Sequence, residues 1–184
     1  MERRTAIKNA LMLLGGTMFM PDVLRAWESP IIINQSFRVS AANELLIAEL
    51  ADVIIPTTDT PGAKAAGVGP FLVKFVADCV PVAQQELFMQ GLADVETRTK
   101  AMTGTTFTAA SVEERIRIVT ALEAKSLKED KKLNEDSFYY MFKKLTFMAY
   151  FTSEIGCTQA LRYEQIPGRY DGSYPYKKGE KAFY

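Results

Sequence analysis

Few side chains in this sequence suit chemistry, because its 184 residues contain no histidine and only two cysteines, Cys79 and Cys157. Histidine is the usual proton-transfer group near neutral pH and the commonest metal ligand in proteins. Its absence excludes Ser-His and Cys-His nucleophile pairs and histidine-liganded zinc, copper or haem. Two thiols are also too few for a four-thiolate zinc or iron–sulfur site within one chain. Carboxylate catalysis and oxygen-liganded metals survive this exclusion, and little else does.

Acidic side chains are therefore the remaining candidates for catalysis. Most of them fall opposite the apolar stripes of predicted helices or close to helix starts, where solvent exposure or the helix dipole explains an acid. These residues are Glu44, Glu49, Asp52, Glu113, Glu114, Glu123 and Glu154. No pair among them has a spacing specific to paired-carboxylate catalysis. We predict that the chain contains no catalytic, cofactor-binding or metal-binding residue.

The two cysteines leave two interpretations open. In an oxidising compartment, Cys79 and Cys157 would be able to form a disulfide that stabilises the fold by restricting the unfolded chain. Alternatively, they are separate buried thiols that pack as small apolar residues. The sequence does not give the distance between them, so it does not decide between these interpretations.

The composition is that of an ordinary globular protein. Hydrophobic residues make up 48% and charged residues 24%, and 184 residues suffice for one domain with a real core. Lysine plus arginine and aspartate plus glutamate both total 22, so there is no excess positive charge to bind a phosphate backbone. We therefore exclude nucleic acid as the partner.

The first residues resemble an export signal. Arg3, Arg4 and Lys8 stand at the start, and the apolar run Ala10–Met20 follows. That run is shorter than the roughly 20 residues of a membrane span, and it fits a signal core of about 7–15 residues. The adjacent arginines resemble the twin-arginine motif, which a receptor reads as an address. We predict a signal over 1–26, one helical domain over 27–184 and a periplasmic location; an amphipathic first helix of a cytosolic domain is the alternative.

Apolar residues beyond position 39 recur every three or four positions, which is the spacing of helices. Ser40 suits the cap of the first helix, and Pro56 suits its end. Gly69-Pro70 is expected to begin the second helix, because proline suits the first helical position, and Pro81 is expected to break it. The stripes of these helices are Leu46, Leu50, Val53 and Ile54, then Phe71, Leu72, Phe75, Val76 and Cys79.

The same periodicity continues to Leu161. Ser111-Val-Glu-Glu114 is a capping box that starts a fourth helix, and Thr152 or Ser153 caps a last one. The intervening stripes are Leu87, Phe88, Leu92, Val95 and Met102, then Val112, Ile116, Val119 and Leu122, then Phe138, Tyr139, Phe142, Leu145 and Met148. No segment alternates as a strand does. The sequence predicts an all-α fold, a compact domain of about five to six helices.

Two stretches interrupt this helical pattern, the connection Pro56–Pro70 and the C-terminal tail from Tyr163. Both are rich in turn-forming residues, and long loops in compact domains tend to be functional or disordered. Tyrosine suits interfaces because it combines contact area with a polar tip. The candidate partner contacts are Pro56, Thr57, Asp59, Pro61, Gly62, Tyr163, Pro167, Tyr170, Tyr174 and Tyr176. A rigid connector and a tail packed on its own domain are the alternatives.

Several blocks, taken in order, resemble the small subunit (subunit 3) of gluconate 2-dehydrogenase and related membrane-bound sugar dehydrogenases. The blocks are Ile54-Ile-Pro-Thr-Thr-Asp-Thr-Pro-Gly-Ala63, Ala66-Gly67-Val68 with Phe71, Phe88-Met-Gln-Gly-Leu92, Gly104-Thr-Thr-Phe107, Tyr150-Phe-Thr-Ser-Glu-Ile-Gly156 and Pro167-Gly168-Arg-Tyr-Asp-Gly172. Together they span most of the chain, roughly from Leu46 to Gly172.

The resemblance implies a non-catalytic subunit that partners a large flavin oxidoreductase of the glucose–methanol–choline type. FAD is then expected in that partner and in no site of this chain, and haem c in a cytochrome c subunit that accepts the electrons. Through its signal the small subunit would take the folded, flavin-loaded partner to the twin-arginine export machinery, and the complex would associate with the membrane. A stand-alone periplasmic helical binding module and a carboxylate enzyme are the other two hypotheses.

Overall fold

The computed structural model describes residues 37–129, 137–166, 168, 171–175 and 177–183.

Helix α1, Ala41–Ile54, begins where the sequence places its cap. The Ser40 hydroxyl accepts a hydrogen bond from the Asn43 amide at 3.2 Å, which satisfies one of the free N–H groups of the first turn. Leu46 and Leu50 of this helix are buried, as predicted. The predicted signal residues Arg3, Arg4 and Lys8 lie outside the described residues.

Four further α-helices and a short π-helix follow α1. They are α2, Val68–Cys79; α3, Val82–Thr103; α4, Val112–Glu129; α5, Phe138–Phe151; and the π-helix Gly156–Ala160. In the described part of the chain there is no strand, only an isolated bridge between Arg162 and Phe183. The predicted all-α fold of five to six helices is confirmed. None of the described helices is both long and apolar enough to cross a membrane.

Pro81 separates α2 from α3, as predicted, and a glutamine side chain completes the corner. The Gln85 side chain, 5% exposed, donates hydrogen bonds from its amide to the carbonyls of Val76, Ala77 and Val80 at 3.1, 3.2 and 2.9 Å. These carbonyls lie at the end of α2, where backbone acceptors lack helical partners. Gln85 therefore replaces the backbone donors that a continuous helix would supply.

The core surrounds α5, which packs against each of the other four α-helices. Phe88 of α3 and Phe138 and Phe142 of α5 form an aromatic cluster with ring centroids 5.6–5.8 Å apart. Gly91 makes room for this cluster, because a Cβ atom there would stand 2.0 Å from Cγ of Phe138. Close approach of α3 and α5 thus depends on glycine at this position.

Helix α4 buries only part of the predicted stripe. The capping box is present, with the Ser111 amide donating to the Glu114 carboxylate at 2.8 Å. However, Val112 and Ile116 are 61% and 49% exposed. The buried positions are Ile118, Val119 and Leu122. The cause is Arg115, which shares their face at spacings of three, four and seven residues and forms an ion pair with α1.

Helix α2 also departs from its prediction at both ends. It begins at Val68, so Pro70 occupies the third helical position, where an N–H group would still lack an intrahelical partner. Of the predicted stripe, Leu72 and Val76 are buried, whereas Phe71 is 43% exposed and Cys79 is exposed.

Candidate functional site

The α1–α2 loop, residues 55–67, is closed at its base by hydrogen bonds of the backbone and of two side-chain hydroxyls. The Ala63 amide donates to the Ile55 carbonyl at 2.8 Å, and the Gly62 amide donates to the Thr57 hydroxyl at 2.9 Å. From α5, the Tyr150 hydroxyl donates to the Pro61 carbonyl at 2.7 Å. Ala63 itself is fully buried. The base of the loop is therefore part of the packed domain.

The structure divides the predicted contact residues of this loop into two groups. Pro56, Thr57 and Asp59 are exposed at its tip, where a partner can reach them. Gly62 is buried. The backbone packs so closely around it that a Cβ atom there would stand 2.6 Å from the Thr57 nitrogen. Pro61 is half-buried and its carbonyl is used internally. Gly62 and Pro61 thus shape the loop, and the tip presents its contact surface.

Glu49 of α1 connects this loop to a second one. Its carboxylate pairs with Nζ of Lys64 through Oε1 and with Nη1 of Arg115 through Oε2, both at 2.5 Å. The side chains of Glu49 and Arg115 are only 18% and 15% exposed. Burial alone would raise the pKa of Glu49, but hydrogen bonds and charge attraction from the two cations outweigh burial and lower that pKa below 4.5.

Glu49→Gln should make the unfolding free energy less dependent on pH in acid. Because the folded pKa lies below the unfolded one, the ionised Glu49 stabilises the fold above pH 4.5, and this contribution is lost as the pH falls through the folded pKa. At pH 7 we expect a loss of about 1–3 kcal/mol, the scale of a charged group deprived of its hydrogen-bond partner. Urea unfolding at pH 7 and pH 3 measures this loss of unfolding free energy. The same substitution at an exposed position, Glu44→Gln, is the control. An equal loss at both pH values would contradict the prediction.

The α3–α4 loop, residues 104–111, is the second loop and was not predicted as a contact site. Phe107 anchors it with a fully buried ring. Arg115 donates from Nε to the Phe107 carbonyl at 2.9 Å and from Nη2 to the Thr108 carbonyl at 2.5 Å. Thr105 and Thr106 are exposed. No prediction was made for Arg115, although its spacing of three from Ile118 was an available signal for an inward position.

The tail folds back onto the domain near the π-helix. The Arg162 amide donates to the Ala182 carbonyl at 2.8 Å, and its guanidinium lies 4.5 Å from the centre of the Phe183 ring. Tyr174 contacts Phe183 edge-on at 5.1 Å and remains 46% exposed, and Tyr163 is 50% exposed. The tail is thus partly packed on its own domain while its tyrosines stay accessible. The other predicted contacts, Pro167, Tyr170 and Tyr176, lie outside the described residues.

The tail also approaches the tip of the α1–α2 loop. A hydrogen bond from the Thr58 hydroxyl lowers the pKa of Asp59, and charge attraction from Lys181 contributes to the same shift. Nζ of Lys181 in turn donates to the Gln159 carbonyl of the π-helix. At Lys181, the tail therefore comes close to the α1–α2 loop.

The cysteines do not form the disulfide that the sequence left open. Both are free thiols: Cys79 is exposed at the end of α2, whereas Cys157 is buried in the π-helix. The Cys157 thiol donates to the Phe151 carbonyl at 3.0 Å. The alternative of separate thiols holds, except that only Cys157 is buried. No group of three or more cysteine, aspartate or glutamate side chains in the described residues is arranged to hold a metal ion.

Comparison with known proteins shows which family the chain matches. The family described as gluconate 2-dehydrogenase subunit 3 matches residues 41–168. Of the described residues, that range contains the five α-helices, both loops and the π-helix, and it ends within the tail. No curated protein and no solved structure matches the chain.

Proposed function

The chain belongs to the gluconate 2-dehydrogenase subunit 3 family, and from this membership we propose that it is a non-catalytic small subunit. It binds and stabilises a large FAD-dependent sugar or polyol dehydrogenase subunit and helps to export it by the twin-arginine route. FAD then belongs to the large subunit, and a cytochrome c subunit with haem c takes the electrons. The assembled complex works in the periplasm and associates with the membrane.

The structural observation that supports partner binding is the α1–α2 loop, whose base is fixed and whose tip is exposed. Binding a partner costs entropy when a loop must be ordered, and a loop held in one conformation beforehand avoids much of that cost. Here Tyr150 and Ala63 fix the base, while Thr57 and Asp59 remain exposed. Rigid scaffolds that present exposed loops are a common arrangement for recognition.

Co-expression tests the proposal directly. The large flavin subunit of the same host, carrying an affinity tag, is purified after expression with or without this chain. We expect the two chains to co-purify in a fixed ratio, and the large subunit to melt at a lower temperature when it is expressed alone. Purification of a stable large subunit without this chain attached would overturn the proposal and favour a stand-alone binding module.

Replacing Arg3 and Arg4 with lysine should abolish delivery of both subunits to the periplasm. The change preserves the positive charge, but the export receptor reads the arginine pair itself. Fractionation followed by immunodetection measures each subunit in the cytoplasm and the periplasm. Lys8→Arg serves as a control that alters a neighbouring cation and should leave export unchanged. Periplasmic dehydrogenase activity at the wild-type level in the double variant would exclude the export role.

A further inference from the structure

Glu49 joins two loops that are distant from each other in the sequence. It holds both of them on one side of the domain. One carboxylate oxygen pairs with Lys64 of the α1–α2 loop. The other pairs with Arg115, whose guanidinium also binds the carbonyls of Phe107 and Thr108 in the α3–α4 loop. The path from one loop to the other therefore runs through two side chains, Glu49 and Arg115.

Both loops are built in the same way. Each has a fully buried anchor, Ala63 in the first loop and Phe107 in the second. The α1–α2 loop exposes Thr57 and Thr58, and the α3–α4 loop exposes Thr105 and Thr106. Hydroxyl groups of this kind both donate and accept hydrogen bonds, and their short side chains lose little entropy when they bind.

We propose that the two loops form one docking surface for the large subunit, joined by Glu49 and Arg115; this inference rests on the proposed function. The partner that fits is a folded protein with polar and hydrogen-bonding groups, since the exposed side chains of the two loops include four threonines, Asp59 and Ser111. Glu49 and Arg115 are positioning residues, because they lie beneath the surface and act through the loops.

The extent of the family match supports this assignment over the distal tail. Both loops lie within residues 41–168, whereas residues 171–183 lie outside that range. A binding function common to the family is therefore better placed on the two loops than on Tyr174 and the residues after it.

The test introduces arginine at exposed threonines and measures affinity for the tagged, co-expressed large subunit. Thr58→Arg in the first loop and Thr106→Arg in the second should each weaken binding about tenfold or more, the scale of a central interface position. Their melting temperatures should stay at the wild-type value because both side chains are exposed. Thr97→Arg and Thr120→Arg, exposed on α3 and α4, are matched controls and should bind within about twofold of wild type.

The outcomes separate this inference from the proposed function. If wild type binds the large subunit and Thr106→Arg binds equally well, the second loop is not part of the docking surface and the inference is wrong. If wild type does not bind at all, the proposed function itself fails. If Thr106→Arg melts at a lower temperature, the affinity of Thr105→Arg, at the adjacent exposed position, shows whether the second loop belongs to the docking surface. Weaker binding by Thr97→Arg and Thr120→Arg to the same degree would also overturn the assignment.

Discussion

Replacing Gln85 with glutamate should lower the free energy of unfolding by about 3–5 kcal/mol at neutral pH, the cost of an uncompensated buried charge. The substitution keeps the size of the side chain and removes its donors. The amide that now binds the carbonyls of Val76, Ala77 and Val80 becomes a carboxylate facing three oxygens. It would also stand at the negative end of the α2 dipole, which adds to the repulsion.

The pH dependence of this variant identifies the mechanism. Burial and the three carbonyls disfavour the ionised form, so the pKa of the introduced carboxyl is raised in the folded state. The penalty is therefore present above that pKa and diminishes as the pH falls through it, because a protonated carboxyl can donate one hydrogen bond. Urea unfolding at pH 7 and pH 4 measures both effects, with Gln90→Glu, exposed on the same helix, as control. A loss below about 1 kcal/mol at neutral pH would contradict the assigned role of Gln85.

Arg115→Met should lower the free energy of unfolding by about 2–4 kcal/mol, because it leaves a partly buried carboxylate with one cation fewer. The methionine retains much of the aliphatic volume, so lost packing contributes little. The carbonyls of Phe107 and Thr108 lose their donors, and Glu49 retains only Lys64, which is 53% exposed. We expect faster amide exchange in the α3–α4 loop as well as a lower urea midpoint.

Arg115→Lys is the matched control for this prediction. Lysine preserves the charge but lacks the planar fork that binds Glu49 and two carbonyls together. It should therefore recover part of the lost stability and leave exchange in the loop faster than in wild type. Wild-type stability in Arg115→Met would show that the ion pair is dispensable, and the two loops would need another explanation for their order.

Local signals in the sequence predicted the helices well. Ser40, Pro81 and the Ser111 capping box each act through neighbours within a few residues, so their effects are readable from the sequence. The buried face of α4 was predicted only in part, because Val119 and Leu122 are buried whereas the remainder of the inward face contains Arg115. Its inward position depends on Glu49, a residue 66 positions earlier, and no local pattern reports such a pairing.

The candidate site was predictable only in outline. Turn-forming residues correctly indicated an irregular α1–α2 loop, and its tip is exposed at Pro56, Thr57 and Asp59. The sequence did not distinguish these from Gly62, whose role is to allow close backbone approach. The second loop was missed because Thr105 and Thr106 carry no chemistry of their own. Their proposed role in docking depends on Glu49, which joins their loop to the α1–α2 loop in the folded structure.

The hydrogen bond between Tyr150 and Pro61 also has a kinetic consequence. It joins residues 89 positions apart, and Glu49 and Arg115 are 66 positions apart, so both loops acquire their shape only after distant parts of the chain have met. Such long-range contacts must overcome the entropy of closing a large loop, so we expect them to form after the local helical contacts. We therefore expect a partially folded or truncated chain to lack the ordered loops. A partner that recognises the ordered loops would bind fully folded subunits and not incompletely folded ones. Assembly would then depend on the completion of folding.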